Sequence, residues 1–377
     1  MPVTTETITA RSFLGPYELT IVLPTFNEVE NVEPILTKLD FALPNVAWEA
    51  VFVDDDSKDG TPRAVMAATK NRPNVRIVRR IGRRGLSSAV VEGALTSMAP
   101  YIAVMDADMQ HDETILKDML SDLRAGASDL IVGTRYTEGG GVGEWSRKRL
   151  AASQIATKMA QIVMRTKLSD PMSGFFMITR EAFESVVGRL SGQGFKILLD
   201  IVSSSEKPLR VSEKVYKFKP RQFGESKLDS FVVIEYLLLL VDKTFGHLVP
   251  ARFILFAAVG GIGLLVHMAI LASCFQVLGT GFTASQSTAT VLAMTFNFFV
   301  NNFLTYRDQR LKGPKQLFIG LLSFCAVCAL GAIANVGIAK YMFTNLYSWW
   351  LSGIAGVIVG AVWNYAATSA FTWRVVK

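Results

Sequence analysis

From Phe253 to Tyr306 the chain carries no Lys, Arg, Asp or Glu. At about 20 residues per membrane-crossing helix, this stretch accommodates two spans, with a polar turn at Gly279–Ser287. Gln316–Ala339 and Tyr341–Trp373 are also uncharged, and each is long enough for one more. The C-terminal third is therefore expected to be a four-helix membrane block. The 50% hydrophobic composition, high for a soluble chain, agrees.

The charge distribution supports this. The net charge is +7, and residues 250–377 hold eight of the 39 Lys/Arg but only one of the 32 acids, Asp308. The remaining residues carry 31 of each sign, so all the excess lies in the apolar part. That pattern points to membrane topology and away from nucleic acid. Arg252, the Arg307–Lys315 loop and the Arg374–Lys377 tail form one side, with Lys340 alone opposite. Cations mark the cytoplasmic side, which places both termini and the soluble part in the cytoplasm. Cys274, Cys325 and Cys328 lie in apolar segments and read as small membrane-helix residues. Met1–Tyr17 lacks an apolar core of signal-peptide length, so no cleaved signal is expected.

The membrane block echoes itself. Phe296-Asn-Phe…Leu304-Thr-Tyr-Arg307 reappears as Trp363-Asn-Tyr…Phe371-Thr-Trp-Arg374. Asn297 answers to Asn364 and Arg307 to Arg374, which gives two helical hairpins of the same orientation. Asn297, Asn301 and Asn302 are costly in lipid and should face a partner helix. Just before the block, Leu228–Phe245 is apolar but carries Asp229, Glu235 and Asp242 on one helical stripe. This reads as an amphipathic helix at the membrane surface.

The soluble part alternates short apolar runs with helical patterns. Leu19–Leu23, Val51–Val53, Val75–Val78, Tyr101–Met105 and Leu130–Val132 read as strands, with helices such as Thr61–Thr69 and Leu86–Met98 between them. Such alternation predicts a mostly parallel sheet. Four strand ends carry polar clusters: Pro24–Glu28, Asp54–Asp59, Asp106–Gln110 and Gly133–Arg135. Ligands of such sheets bind outside the carboxyl ends of the strands, so these clusters should share one rim. Asp106 and Asp108, with the amide oxygen of Gln110, are hard donors that suit Mg²⁺ or Mn²⁺ and, through the ion, a phosphate. Asp54–Asp56 alone could be an Asx-type turn; beside Pro24, Phe26 and Glu28 it suggests a pocket for a base and ribose.

Other segments leave alternatives open. Arg79–Gly85 is a solvated basic loop or a phosphate or headgroup contact. Gly139–Gly143 is glycine-rich enough to act as a lid. Arg149 and Ser153 share a helix face that could grip a phosphate or simply be solvated. Lys196 opens a helix, and Arg221 and Lys227 flank a glycine loop. Asp170–Phe176 is a turn feeding an apolar strand. His111 is expected to be a solvated loop residue, and neither a Ser/His pair nor an HExxH motif is present.

In order, Pro24-Thr-Phe-Asn-Glu, Val53-Asp-Asp-Asp-Ser, Asp106-Ala-Asp, Gly133-Thr-Arg-Tyr, Ser173-Gly-Phe-Phe and Phe223-Gly-Glu-Ser-Lys-Leu resemble the family 2 glycosyltransferases. Within them, residues 18–245 look like the dolichyl-phosphate mannosyltransferase-like polyprenyl-phosphate glycosyltransferases. The membrane block resembles the GtrA-like proteins. The resemblance implies an α/β GT-A fold, Rossmann-like with a mostly parallel sheet, followed by an α-helical four-helix transmembrane domain. Its boundaries would be a tail at 1–17, a catalytic domain at 18–227, an interfacial helix at 228–247 and the membrane domain at 248–377.

The same resemblance assigns roles. Pro24, Phe26, Glu28, Val53 and Asp55 would hold the nucleoside, with Phe26 standing where Tyr is usual. Asp106 and Ala107 would line the donor site, and Asp108 and Gln110 would bind the metal, Mg²⁺ or Mn²⁺. Arg135, Lys196, Arg221 and Lys227 would contact the donor's diphosphate and sugar or the acceptor phosphate. Arg149 and Ser153 would hold the acceptor phosphate. The expected reaction is inverting transfer of one hexose to a dolichyl or undecaprenyl phosphate in the membrane lipid. GDP-mannose is the first choice of donor, and UDP-glucose or UDP-N-acetylglucosamine the alternative. Absence of a Gln-x-x-Arg-Trp signature agrees with single transfer. The other classes are a lipid-linked-sugar flippase or binding protein, and a purely structural role of the helices as anchor or homo-oligomer seam.

Overall fold

The computed structural model describes residues 15–136, 156–164, 166–191, 194–219, 231–245, 250–345 and 349–373. The chain divides into two compact units, Met1–Thr244 and Phe245–Lys377.

The first unit holds β1 (Leu19–Thr25), β2 (Trp48–Asp54), β3 (Val75–Arg79), β4 (Tyr101–Val104), β5 (Leu130–Thr134), β6 (Phe176–Thr179) and β7 (Val211–Val215) in one sheet, ordered β3-β2-β1-β4-β6-β5-β7. Its helices are α1 (Val32–Ala42), α2 (Thr61–Ala68), α3 (Leu86–Leu95), α4 (Leu116–Arg124), α5 (156–163), α6 (Arg180–Val187), α7 (Ile197–Ser204) and α8 (Phe231–Phe245). Helices cover both faces, which is why β1 and β2 are apolar without alternation. Leu19, Ile21, Leu23 and Phe52 pack toward α1, α2 and α4, while Val22, Val51 and Val53 pack toward α3, α6 and α7. Gly93 of α3 sits so close to Val22 and Val53 that an added Cβ would lie 2.6 and 2.7 Å from them.

Among the described strands only β6 is antiparallel to its neighbours. The register aligns Thr25 with Asp54, Asp54 with Arg79 and Val22 with Val104. Phe26, Asp55, Arg80 and Asp106 therefore leave the sheet on one rim. β5 delivers Arg135 to that rim, and the reversed β6 starts from it. β7 pairs with β5 from Leu130↔Val211 to Thr134↔Val215. Its Val-Ser-Glu-Lys-Val sequence is part-exposed and carries no apolar run, so it escaped the sequence pattern.

α8 docks on its own unit. Tyr236, Leu239 and Leu240 enter the core beside α5 and α6, and the Tyr236 hydroxyl donates to the Ala156 carbonyl at 2.5 Å. Lys243 sits 2.5 Å from the wholly buried carboxylate of Asp200. The spacing of the acids along this helix did not reveal that contact.

The second unit contains α9 (Ala251–Ala272), α10 (Phe282–Phe303), α11 (Pro314–Thr344) and α12 (Trp349–Ala367). α9 pairs with α10, and α11 with α12. Among the described residues, Arg252–Val277 and Pro314–Gly331 are long and apolar enough to cross a membrane. The sequence echo becomes a structural one. The Asn297 amide packs against Gly263, and that of Asn364 against Gly331. The Tyr306 and Trp373 rings, counterparts in the repeat, stack at 4.1 Å with 4° between planes. Trp373 Nε1 donates to Asn302 Oδ1 at 3.0 Å, while Tyr306 Oη and Ser369 Oγ, again counterparts, lie 2.7 Å apart. Phe256 meets Tyr365 at 5.8 Å, and Phe324 meets Phe298 at 5.9 Å. Each hairpin thus gives the other the same set of contacts, the mark of an approximate twofold relation.

Candidate active site

Three of the turns on the rim contain a non-glycine residue in left-handed backbone: Asn27 (φ 54°), Asp56 (φ 60°) and Met109 (φ 65°). For a buried methionine this conformation is strained, at about 1–3 kcal/mol, and persists only where surroundings impose it.

After β1, the Asn27 and Glu28 amides donate to Ser57 Oγ and Thr61 Oγ1, at 2.8 and 2.9 Å. Glu28 is buried and accepts from Asn31 Nδ2 at 2.6 Å. The Phe26 ring carries the Arg84 guanidinium 4.0 Å above its centre. After β2, Asp55 accepts from Arg80 Nη1 at 2.8 Å and from the Gly85 amide at 2.7 Å. Burial is the main force that raises the Asp55 carboxyl above its ordinary value, against the pull of Gly85 and Arg80. Val53 is fully buried in the core one residue below the rim, and Pro24 is half-buried.

The basic loop is a structural brace. Arg79 bonds Asp56, the buried Arg80 bonds Asp55, Ser88 and the Gly85 carbonyl, and Arg83 bonds Glu92. Three of its cations thus already hold carboxylates, and the fourth, Arg84, lies on Phe26.

After β4, Asp106 approaches Gly174 so closely that an added Cβ there would lie 2.9 Å from Asp106 Oδ2. Burial would raise the Asp106 carboxyl, but the hydrogen bond and charge of His111, followed by the charges of Lys196 and Arg135, outweigh it and hold the group low. Ala107 and Asp108 are buried, and Asp108 Oδ1 accepts from the Gln110 amide at 3.1 Å. Gln110 Nε2 donates to the Lys219 carbonyl at 3.1 Å, which fixes the other end of its side chain as the oxygen. One carboxylate and one amide oxygen fit Mg²⁺ or Mn²⁺, which take few protein ligands beside substrate phosphates. Among the described residues no cluster of three His, Cys, Asp or Glu offers a competing cage.

Arg135 is gripped at two points by the fully buried Asp170, through Nε at 2.7 Å and Nη2 at 3.0 Å. Its guanidinium lies 5.2 Å from the Phe218 ring centre. Burial lowers the affinity of Arg135 for its proton, but the bonds and charge of Asp170 raise it further. Lys196, the residue before α7, shares the electrostatic neighbourhood of Arg135, Asp106 and Asp170; burial and Arg135 lower its pKa. The structure therefore gathers Asp106, Arg135 and Lys196 and sets Phe26, Glu28 and Asp55 along the same rim. Arg149, Ser153, Arg221, Lys227 and the Gly139–Gly143 lid lie outside the described residues.

His111 is not the solvated residue expected. It is 2% exposed, with Nδ1 2.8 Å from Tyr216 Oη and Nε2 3.3 Å from Asp106 Oδ2. Phe175 and Phe218 flank its ring. Asp170, Tyr216 and Arg80 were likewise missed as parts of the rim. Single residues gave no pattern, and their partners lie up to 105 positions away.

A sheet covered by helices on both faces, with a carboxylate–amide oxygen pair and cations at its rim, is the frame of an α/β enzyme that binds a phosphate-bearing ligand. The comparisons with known proteins are consistent. Residues 20–187 match the glycosyl transferase family 2 profile, and residues 255–373 match the GtrA/DPMS transmembrane domain. The dolichol-phosphate mannosyltransferase of Pyrococcus furiosus is 32% identical over 360 residues, covering 94% of this chain and 99% of that protein. The Saccharomyces cerevisiae protein of the same name is 37% identical over 234 residues, covering 60% and 86%. Among solved structures, glucosyl-3-phosphoglycerate synthase from Mycobacterium tuberculosis with Mn²⁺, UDP-glucose and phosphoglyceric acid aligns over 60% of this chain and 79% of that one, at 18% identity and a TM-score of 0.44. The chain belongs to the dolichol-phosphate mannosyltransferase family of family 2 glycosyltransferases, and it is a membrane-domain-bearing glycosyltransferase.

Proposed function

We propose that the protein transfers one mannosyl residue from GDP-mannose to a polyprenyl phosphate, dolichyl or undecaprenyl, with inversion at the anomeric carbon. The observation that carries this reading is the likeness to the P. furiosus mannosyltransferase, which runs through both domains and 99% of that protein.

The acceptor phosphate is an anion already, so no strong general base is required. Rate comes from holding the acceptor oxygen in line with C1 and from neutralising the leaving diphosphate. In this reading Pro24, Phe26, Glu28, Val53 and Asp55 form the nucleoside side. Asp106 and Ala107 line the sugar side, with Asp106 kept ionised. Lys196, Arg135, Arg221 and Lys227 hold the anionic diphosphate or the acceptor, and Arg149 and Ser153 grip the acceptor phosphate. Mg²⁺ or Mn²⁺, held by Asp108 and Gln110, would supply charge neutralisation at the diphosphate. Burial and Arg135 lower the proton affinity of Lys196, and the negative charge of a diphosphate beside it would act in the opposite direction.

Four membrane-spanning helices, a cytoplasmic catalytic domain at 18–227, an interfacial helix at 228–247 and a membrane domain at 248–377 complete the proposal. The test is a donor comparison on the full chain in detergent with a polyprenyl phosphate. Labelled GDP-mannose is expected to pass its sugar to the lipid phase, while UDP-glucose and UDP-N-acetylglucosamine do not. Transfer from a uridine donor alone overturns the mannosyl assignment.

A further inference from the structure

We propose that His111 is a positioning residue for the donor side of the reaction: with Tyr216 it fixes the Asp106 carboxylate at the rim. The proposal rests on the glycosyl-transfer reading above and adds a residue that its motifs leave unassigned.

The chemistry of the groups sets the direction of the bond to Asp106. An ionised carboxylate only accepts, so the hydrogen between His111 Nε2 and Asp106 Oδ2 (3.3 Å) resides on Nε2. Nδ1 lies 2.8 Å from Tyr216 Oη, accepting from the hydroxyl in a neutral ring and donating to its oxygen in a charged one. In either case Tyr216 Oη, the His111 ring and Asp106 Oδ2 form one hydrogen-bonded chain. The ring cannot turn away. It lies 5.0 Å from Phe175, 5.6 Å from Tyr216 and 5.8 Å from Phe218, and it is 2% exposed. Asp106 is also confined from behind by Gly174.

Tyr216 is itself anchored to the end of β5. It follows β7, and its amide donates to the Thr134 carbonyl at 3.1 Å, next to Arg135. Three residues on, Lys219 and Gln110 exchange two bonds, from the Lys219 amide to the Gln110 carbonyl at 2.9 Å and from Gln110 Nε2 to the Lys219 carbonyl at 3.1 Å. Lys219 Nζ reaches Asp112 at 3.4 Å. The segment Tyr216–Lys219 therefore clasps the Gln110–Asp112 end of the loop, and His111 carries that hold on to Asp106. An interior histidine that served packing alone needs no carboxylate at the ligand rim.

The experiment compares native protein, His111→Leu, His111→Gln and Tyr216→Phe as full chains in detergent, with donor and acceptor varied separately. Partners of this kind around a working group are worth about 10–100-fold in activity. His111→Leu is expected to lower kcat/KM for the nucleotide-sugar donor by about 10–100-fold with the acceptor KM within about twofold of native. Gln keeps an N–H near the position of Nε2, and His111→Gln is expected to recover most of that loss. Tyr216→Phe removes one oxygen from an otherwise intact core and gives a smaller loss on the same donor side, which tests the chain even where His111→Leu misfolds. Equal losses in His111→Gln and His111→Leu, losses shared equally by donor and acceptor, or full donor kcat/KM in both Tyr216→Phe and His111→Leu would overturn the proposal. Absence of transfer by the native chain would instead strike the functional reading itself.

Discussion

Arg135 and Asp170 form a two-point ion pair in which the carboxylate is wholly buried and the guanidinium is 10% exposed. The pair holds a cation at the rim without letting it collapse onto Asp106. Removing Asp170 takes the two-point carboxylate partner away from a buried guanidinium. Asp170→Ala is expected to destabilise the chain by about 3–5 kcal/mol, read as a lowered urea midpoint of tryptophan fluorescence in detergent. An unchanged midpoint would mean that water replaces the carboxylate at little cost.

Two glycines separate stability from activity. A methyl at Gly93 would meet Val22 and Val53 in the core, whereas the atoms nearest a methyl at Gly174 are those of the Asp106 carboxylate. Gly93→Ala should lower stability by about 1–3 kcal/mol through overpacking. Gly174→Ala should leave the unfolding midpoint near native and reduce the rate of sugar transfer, because it displaces Asp106. Paired melting and activity measurements check both; the reverse pattern would contradict the positions assigned to them.

Acid should weaken the catalytic unit. Hydrogen bonds from Arg210 hold Asp129 below its ordinary value of 3.8, and hydrogen bonds from Lys58 and Arg79 do the same for Asp56. Folded values below unfolded ones mean that the stabilisation is fully present above the ordinary carboxylate range and is lost as pH falls through the folded values. Tm is therefore expected to hold from about pH 7 to 5 and to fall steeply below about pH 4. In Arg210→Ala the Asp129 part of that acid sensitivity should shrink.

The membrane unit should respond symmetrically. A Cβ added at Gly263 or Gly331 would lie 2.0 Å from the side-chain oxygen of Asn297 or Asn364 on the neighbouring helix. Small residues at such places let helices approach, and a side chain forces them apart. Gly263→Leu and Gly331→Leu are each expected to lower the detergent Tm, by similar amounts. Loss at one site alone would contradict the approximate twofold relation between the hairpins.

Much of this architecture was legible because it rests on repeated local patterns. Apolar runs that end in turn residues located β1 to β5. The uncharged stretches marked the membrane unit, and Asn297 and Asn364 announced its repeat. β7 was not legible, since an edge strand with Ser212, Glu213 and Lys214 has no buried face to record in its sequence. Nor was the surrounding of Asp106. His111 follows Gln110 and looks like loop, and its burial depends on Phe175, Tyr216 and Phe218, which only the fold brings near. Arg80 likewise reads as one basic residue among four until Asp55 is seen beside it.

The central claim is that the Asp106–Gln110 loop serves sugar transfer to a lipid phosphate. Its most direct test is the initial rate of label passing from GDP-mannose into the lipid phase, for native protein and Asp108→Ala side by side, with and without a chelator. The native chain should transfer, should stop on chelation and should recover with Mg²⁺ or Mn²⁺, while Asp108→Ala should stay at background. Native-level transfer by Asp108→Ala, or transfer indifferent to the chelator, would contradict the account.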